Sequence, residues 1–438
     1  MQQNYFLYCG EKKQAFTLPS KWTILEHTRI SEDIPTTPLE DLTRKALTAP
    51  VASPHLCDLA GKNTDVAILV DDPARATPVD KMLPPILNEL LKAGVPQENI
   101  TIVVALGTHR FASQKDLEAK VGTAALQEYR VVQHDCHADN LVPIGKLLTG
   151  GEVAIDPFVA KAQIKIGVGS IFPHPMNGFG GGAKILFPGV ADFKSISEHH
   201  FHYTPEPGCV LGHTETNPFR HEVCRMAEAA GLSFIVNCVF DARERVVDVV
   251  AGHFEKAHQT GIEKSKQNYA FHMKEAADVT IVSADPYVEG PQIMKPIIPA
   301  SLMTTKPGGA VIVLARCPGG MPEAMLQSFD NIFKSRPEHT GRYAVNAFKN
   351  ARLMAEGAID FNCAIFFALV CASRTRITIV SEDLDKTAVN RLGFNHSTTL
   401  EAAILKEQEK QPEATANIFP LGGLLLPLMP SLTHFYEF

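Results

Sequence analysis

No Cys-x-x-Cys pair occurs in this chain of 438 residues, and its nine cysteines stand as isolated singles. An odd count without paired spacing speaks against a zinc ribbon or a disulfide framework and fits a reducing cytoplasm. Excess basic charge is also missing. The chain has 41 lysines and arginines against 48 aspartates and glutamates, a formal net charge of −7, whereas a nucleic-acid footprint needs a basic face. The longest apolar run, Cys363 to Ala372, is about half of what a membrane span requires. The first residues, Met1-Gln2-Gln3-Asn4, have neither the basic nor the apolar region of a secretory signal. With 45% hydrophobic and 20% charged residues, the composition is globular, not disordered or collagen-like. At roughly 150 residues per domain, the length predicts two to three domains. What is left is a soluble, mildly acidic, cytoplasmic protein with no nucleic-acid or membrane partner, and an enzyme as the default expectation.

What is present is a repeated grammar: a short apolar strand running straight into a polar or glycine-containing loop. Thr64 to Val70 leads into Asp71-Asp72-Pro73-Ala74-Arg75. Ile100 to Leu106 leads into Gly107-Thr108-His109-Arg110, and Gln163 to Val168 into Gly169-Ser170-Ile171-Phe172-Pro173-His174. Val279 to Val282 and Ala310 to Leu314 repeat the pattern later. Between the first two, Met82, Ile86, Leu87, Leu90 and Leu91 recur at helical spacing within Val79 to Ala93, and Gly94 closes the helix. Continuous apolar strands alternating with helices predict parallel sheets covered on both faces. Ligands bind such sheets beyond the carboxyl ends of the strands, and that is where Asp72, Arg75, His109 and His174 fall. Phe234 to Asn237 and Val246 to Val249 read as an antiparallel hairpin around Asp241 to Glu244. A helical stretch from Glu255 to Ala277 then leads to a second domain beginning near Asp278. Residues 376 to 382 predict a further strand and Leu400 to Lys410 a late helix. The apolar tail from Phe419 to Pro430 is expected to pack on the body.

The densest segment runs from Ser170 to Gly189. Gly178, Gly180, Gly181 and Gly182 lie within five residues, followed by Lys184. Such glycines let the backbone approach a ligand and present N–H groups to an anion. The P-loop comparison fails, because Ile185 stands where Ser or Thr should follow the lysine, and no G-x-G-x-x-G follows the first strand. A tight strand-to-helix turn is the bland alternative. Downstream, His199, His200, His202, His213 and His221 cluster without an H-E-x-x-H spacing. Any one could be a metal ligand or an ordinary core or surface histidine. His134-Asp135-Cys136-His137 is read as a turn held by Asp135 rather than a metal patch.

Taken together, five pieces in this order resemble the nickel-dependent lactate racemase family. They are Asp72-x-x-Arg75, Gly107-Thr108-His109-Arg110, the segment Pro173-His174 through Gly180-Gly181-Gly182-Ala183-Lys184 to Pro188-Gly189, His199-His200, and Gln292-x-x-Lys295. The resemblance spans about residues 20 to 390. It implies an isomerase that racemises or epimerises a 2-hydroxy acid with a nickel-pincer nucleotide. Lys184 corresponds to the lysine bonded covalently to that cofactor, Gly180, Gly181 and Gly182 to its close-approach loop, and His200 to the nickel ligand, with adjacent His199 as the competing assignment. His109 and His174 correspond to the two acid/base histidines, one for each enantiomer. Arg75 and Lys295 correspond to substrate-binding groups, and Asp72 and Gln292 to residues that orient the site. Hydride would pass to the cofactor and the hydroxyl proton to a histidine, leaving a 2-keto acid. Imidazole suits proton exchange because its ordinary pKa lies near working pH, and the arginine fork suits a carboxylate.

The resemblance implies an α/β fold of two Rossmann-like domains with the active site in the interdomain cleft. Residues 1–270 are expected to form the cofactor-binding domain, 271–392 the second domain, and 393–438 a tail returning to the first. The expected partners are a small 2-hydroxy acid and, transiently, the enzymes that make the pincer cofactor. The oligomeric state is left open. Two departures stand out: Ala74 replaces the Thr usual before the arginine, and Pro291 precedes Gln292 while the single tryptophan, Trp22, is remote in sequence. Both predict a roomier pocket, for a longer 2-hydroxy acid or a sugar acid. Read without the resemblance, the same residues allow a Schiff-base enzyme on Lys184, a metallohydrolase on His199, His200, His202 and His213, or a non-catalytic binding protein, against which His109 and His174 argue.

Overall fold

The computed structural model describes residues 3–31, 33–335, 337–428 and 436. Twelve strands form two six-stranded sheets. They are β1 (Trp22–His27), β2 (Val66–Asp71), β3 (Ile100–Ala105), β4 (Arg130–Gln133), β5 (Ile164–Ile171), β6 (Phe234–Phe240), β7 (Val246–Gly252), β8 (Ala277–Ser283), β9 (Thr305–Leu314), β10 (Arg376–Val380), β11 (Asn395–Ser397) and β12 (Ala414–Phe419). The helices that matter here are α1 (Val79–Lys92), α2 (Phe193–Tyr203), α3 (Pro218–Ala229), α4 (Lys256–Tyr269), α5 (Ile359–Arg374) and α6 (Leu400–Lys410).

The first sheet has the order β7-β6-β5-β2-β3-β4. Its neighbours are parallel except for the β6–β7 hairpin. β2 is buried on both faces, and its side chains alternate between two cores. Ala67 and Leu69 enter one, while Val66, Ile68 and Val70 meet Met82, Ile86 and Leu90 of α1 in the other. That is the two-residue period of a strand meeting the helical period of its cover. Each of the Val, Leu, Ile and Met side chains contributes about 1.5–3 kcal/mol on burial. The second sheet, β11-β10-β9-β8-β12-β1, is parallel throughout.

Both sheets reverse direction at an inner strand. In the first, the chain steps from β2 to β3 and β4 on one side, then places β5 on the other side of β2. In the second it steps from β8 to β9, β10 and β11, then places β12 against the free side of β8. Crevices open at such reversals beyond the strands' carboxyl ends. One apolar cluster, including Leu69, Val103, Phe187, Phe219, Val282, Val313 and Phe366, is continuous between the two halves.

The expected boundaries at 270 and 393 do not follow the sheets. β1 lies within residues 1–270, yet it pairs with β12 at the edge of the second sheet, Trp22 opposite Ala414 and Ile24 opposite Ala416. β11, α6 and β12 lie beyond residue 393 and also belong to that second half. The reason is burial: β8 is buried on both faces, so its side opposite β9 must be paired, and β12 with β1 beyond it closes that edge. Only after Phe419 does the chain cross back. Leu424 joins the core of the first sheet, and Leu426–Leu428 pairs with Ala270–His272. That short strand also ends α4 at Tyr269, well before the Ala277 expected. The apolar tail packs on the body as expected, with Phe419, Leu421, Leu424, Leu425 and Leu426 buried, while Pro430 lies outside the described residues. Among the described residues, no helix is long and apolar enough to cross a membrane, and all nine cysteines are free.

Candidate active site

A cavity of about 460 Å³ lies where the two reversal points meet. Its lining takes in Asp72, Arg75, His109, His174, Gly180, Gly181, Lys184, His200, Gln292 and Lys295. Of the residues expected from the sequence, Gly182 alone is missing from that lining.

The loop after β2 supplies the first pair. Asp72 is 6% exposed. Its Oδ1 accepts from the Ala74 amide at 2.8 Å, and its Oδ2 accepts from Arg75 Nε at 3.3 Å. His109 arrives from the loop after β3, and its Nδ1 lies 3.3 Å from the same Oδ2. Burial alone would raise the Asp72 carboxyl, but His109, Arg75 and the Ala74 amide outweigh it and hold the group below the usual carboxylate range. His109 does not cap the next helix. Ser113 does, through a capping box with Asp116.

The loop after β5 supplies the second group. His174 Nδ1 accepts from the amides of Met176 at 3.2 Å and Asn177 at 3.1 Å. A neutral ring therefore carries its proton on Nε2, which lies 3.2 Å from Lys184 Nζ. Burial, then the charges of Lys184, Arg75, His200 and Lys295, push His174 well below the ordinary imidazole range. The ordinary pKa invoked for His174 thus does not hold here. Burial, with Arg75 second, brings the Lys184 amine down to about 7, so it is largely neutral at slightly alkaline pH. Lys184 Nζ also stands 5.6 Å above the Phe219 ring of α3.

The glycine loop is shaped by the protein itself. Gly181 (φ 79°) and Gly182 (φ 59°) occupy the left-handed region. A Cβ on Gly181 would meet Ser170 O at 2.7 Å, and one on Gly182 would meet the His258 ring at 2.6 Å. Gly182 faces His258 of α4 rather than the cavity, which corrects its expected place in the close-approach loop. The loop is pinned by the Gly182 amide donating to Asn237 Oδ1 at 2.8 Å and by His258 Nε2 donating to Gly180 O at 2.8 Å.

α2 separates the neighbouring histidines. His200 Nδ1 donates to Ile196 O at 2.8 Å, which leaves the Nε2 lone pair on a residue that lines the cavity. Burial, then Lys184, holds His200 near about 3. His199 is fully buried among Phe187, Tyr203 and Phe219, with Nε2 3.2 Å from Phe219 O. His213 bonds Thr216 and His221 bonds Glu215 O. Among the described residues, no three His, Cys, Asp or Glu groups are arranged to hold a metal ion, so the histidine-rich metallohydrolase has no centre. His134-Asp135-Cys136-His137 is the expected turn, with Asp135 Oδ1 accepting from the His137 amide at 2.9 Å.

The second half adds Gln292, from the 3₁₀ turn Gly290–Met294, and Lys295 just after it. Lys295 Nζ lies 4.0 Å from the centre of the Tyr287 ring. Burial, with Arg75 second, lowers Lys295 to about 8. Around them the wall is apolar, with Met294, Ile297, Ile298, Ile359 and Phe367. Ala74 and Pro291 line the cavity, whereas Trp22 packs in the far core of the second sheet. Sequence reasoning missed Asn237, His258, Phe219 and Asp360. A buried Asn inside the apolar strand Phe234–Phe240 was a readable signal. Asp360 had none, since its contacts come from distant sequence.

Comparison with known proteins gives a consistent answer. A family model described as the lactate racemase N-terminal domain matches residues 9–212. The lactate racemase of Thermoanaerobacterium thermosaccharolyticum is 32% identical over 285 residues, 64% of this chain and 66% of that protein. The lactate racemase of Lactiplantibacillus plantarum is 29% identical over 293 residues, 66% of this chain and 67% of that one. The matched region thus spans about two thirds of each relative's length. The solved lactate racemase apoprotein from T. thermosaccharolyticum superposes with a TM-score of 0.85 at 26% identity, covering 97% of this chain and all of that one. A Thermotoga maritima protein shares the fold at a TM-score of 0.63 and 17% identity, covering 91% of this chain.

Proposed function

The chain belongs to the lactate racemase family, and from that premise we propose that it is an isomerase inverting the hydroxyl-bearing C2 of a 2-hydroxy acid. The observation that carries the reading is the 3.2 Å approach of Lys184 Nζ to His174 Nε2, in a cavity that also receives Asp72, Arg75, His109, His200, Gln292 and Lys295.

The donor set fits a lysine-tethered nickel-pincer nucleotide. Lys184 offers a buried amine, largely neutral, as covalent attachment requires. His200 offers one imidazole lone pair, so a metal there would take its other ligands from the organic group. When bound, that group supplies the acceptor for the hydride leaving C2. The chain's own residues do the rest. Arg75, oriented by Asp72, and Lys295 hold the carboxylate and hydroxyl oxygens, and Gln292 orients them. His109 and His174 exchange the hydroxyl proton, one for each enantiomer. Asp72 fixes the His109 ring through Nδ1, and two backbone amides fix His174 through its Nδ1. The apolar wall, with Ala74 and Pro291, supports a substrate longer than lactate with an alkyl or aromatic side chain. The hydroxyls of a sugar acid would be buried there without partners. The cofactor-making enzymes would be transient partners in the cytoplasm.

The test is intact mass and nickel content after co-expression with a complete pincer-cofactor biosynthetic set. A nucleotide-sized mass increase mapped to Lys184, absent in Lys184→Ala, with near-stoichiometric nickel, is the expected result. An unmodified, nickel-free chain beside a loaded family member would overturn the cofactor assignment. One second reading has support of its own: the lowered Lys184 amine also suits a Schiff base with a keto acid, which borohydride would trap.

A further inference from the structure

Asp360 stands in the first turn of α5, a helix of the second half, yet both its carboxylate oxygens face residues of the first half. Oδ1 accepts from Thr108 Oγ1 at 3.1 Å, and Oδ2 lies 3.4 Å from His109 Nε2. His109 Nδ1 lies 3.3 Å from Asp72 Oδ2. The ring is therefore held between two carboxylates, one from each half of the molecule. An acid in a helix's first turn commonly serves that helix's own amides. Here the carboxylate instead reaches across the cavity mouth to a loop of the other sheet.

Asp72 occupies Nδ1, so Nε2 is the nitrogen left to exchange a proton with a substrate, and it is the one Asp360 covers. We propose that Asp360 is a positioning residue for His109, a claim that rests on the reading of His109 as an acid/base group. It holds Nε2 in place before substrate arrives, yields it to the substrate hydroxyl, and ties the setting of His109 to the contact between the halves. The Asp360 side chain is 46% exposed and that of His109 31%. A pair this open to water is weak, as displacement by substrate demands. The charged groups meeting His109 are Asp72 from the loop after β2, itself paired with Arg75, and Asp360 from α5. A carboxylate beside Nε2 favours the imidazolium, so its removal lowers the His109 midpoint.

The experiment is a titration of ¹³C-labelled histidines by NMR in the full, unloaded chain, with His109→Gln for assignment. Asp360→Asn should lower the His109 midpoint by about half a pH unit, the size expected of an exposed pair. Asp360→Glu should restore most of it, and Thr108→Val should move it by less than Asn does. In the loaded enzyme, Asp360→Asn should shift the His109 limb of the kcat/KM profile to lower pH by the same amount. It should move to lower pH in both directions of racemisation, since His109 is base in one and acid in the other. A folded Asp360→Asn chain with an unchanged His109 midpoint overturns the proposal, and Asp360→Ser serves if Asn does not fold. A midpoint shifted by Asp360→Asn, together with a loaded wild-type chain that racemises no 2-hydroxy acid, would support the pairing and overturn the functional reading instead.

Discussion

The wall of the cavity built by the first sheet carries Asp72, Arg75, His109, His174 and Lys184. The wall built by the second half carries Met294, Ile297, Ile298, Ile359 and Phe367, with Gln292, Lys295 and Asp360 set among them. Both walls sit at reversal points of parallel sheets, so topology placed them alike. They differ in the segments that leave the strands. β2, β3 and β5 run into short polar or glycine-rich loops that expose reactive groups, whereas the second wall is built from the helical turns of residues 290–304 and from α5. The same crevice geometry thus provides reactivity on one side and shape and contact on the other. The reactive side stores a cost, since burying a lysine and a histidine beside one another depresses both.

The largest effect should come from the first wall. His109→Ala and His174→Ala are expected to lower kcat by about 10²–10⁴-fold, measured as racemisation of the loaded enzyme. Ile359→Ala, on the second wall, should change kcat by less than about tenfold and act mainly on KM. Equal losses in kcat would erase the distinction between the walls.

Stability should separate the walls with opposite signs. Lys184→Met is expected to stabilise the unloaded chain by about 3 kcal/mol at pH 8. The Lys184 amine is lowered from 10.5 to about 7, so its contribution to stability is present above about 10.5 and is lost as pH falls towards 7. Denaturant curves from pH 6 to 10 should therefore show wild type and variant converging at the alkaline end. Ile297→Ala, a fully buried position, should instead cost about 2–5 kcal/mol at every pH. A Lys184→Met chain that is no more stable than wild type would show that the reactive wall carries no such cost.

The smallest effect concerns substrate length. Turnover of 2-hydroxy acids with longer alkyl or aromatic side chains should exceed that of lactate by about threefold to tenfold in kcat/KM. A clear preference for lactate would mean that the apolar wall is filled by something other than the substrate side chain.

Much of the first wall was readable from the chain. β2, β3 and β5 are apolar runs buried on both faces, and their continuity declares a covered parallel sheet. Asp72, His109 and His174 come directly after those runs, so finding the strands found the site. The choice between His199 and His200 was not readable, because adjacent helical residues differ by about 100° of rotation and only packing against Phe187 and Phe219 decides which turns inward. The pairing of β1 with β12 was equally hidden, since Trp22 and Ala414 lie at opposite ends of the chain and no local propensity chooses between edges.

By itself, the sequence determined the α/β class, the strand ends of the first sheet, the glycine–lysine loop and the kinds of reactive group present. Those come from short-range periodicity and from what each side chain can do chemically. Only the tertiary structure decided that β1 completes the second sheet, that Gly182 packs on His258 rather than on the cavity, and that Asp360 reaches His109. It also set His174 and Lys184 far from their ordinary proton affinities. Those outcomes depend on desolvation and on partners distant in sequence, and only the packed chain supplies either.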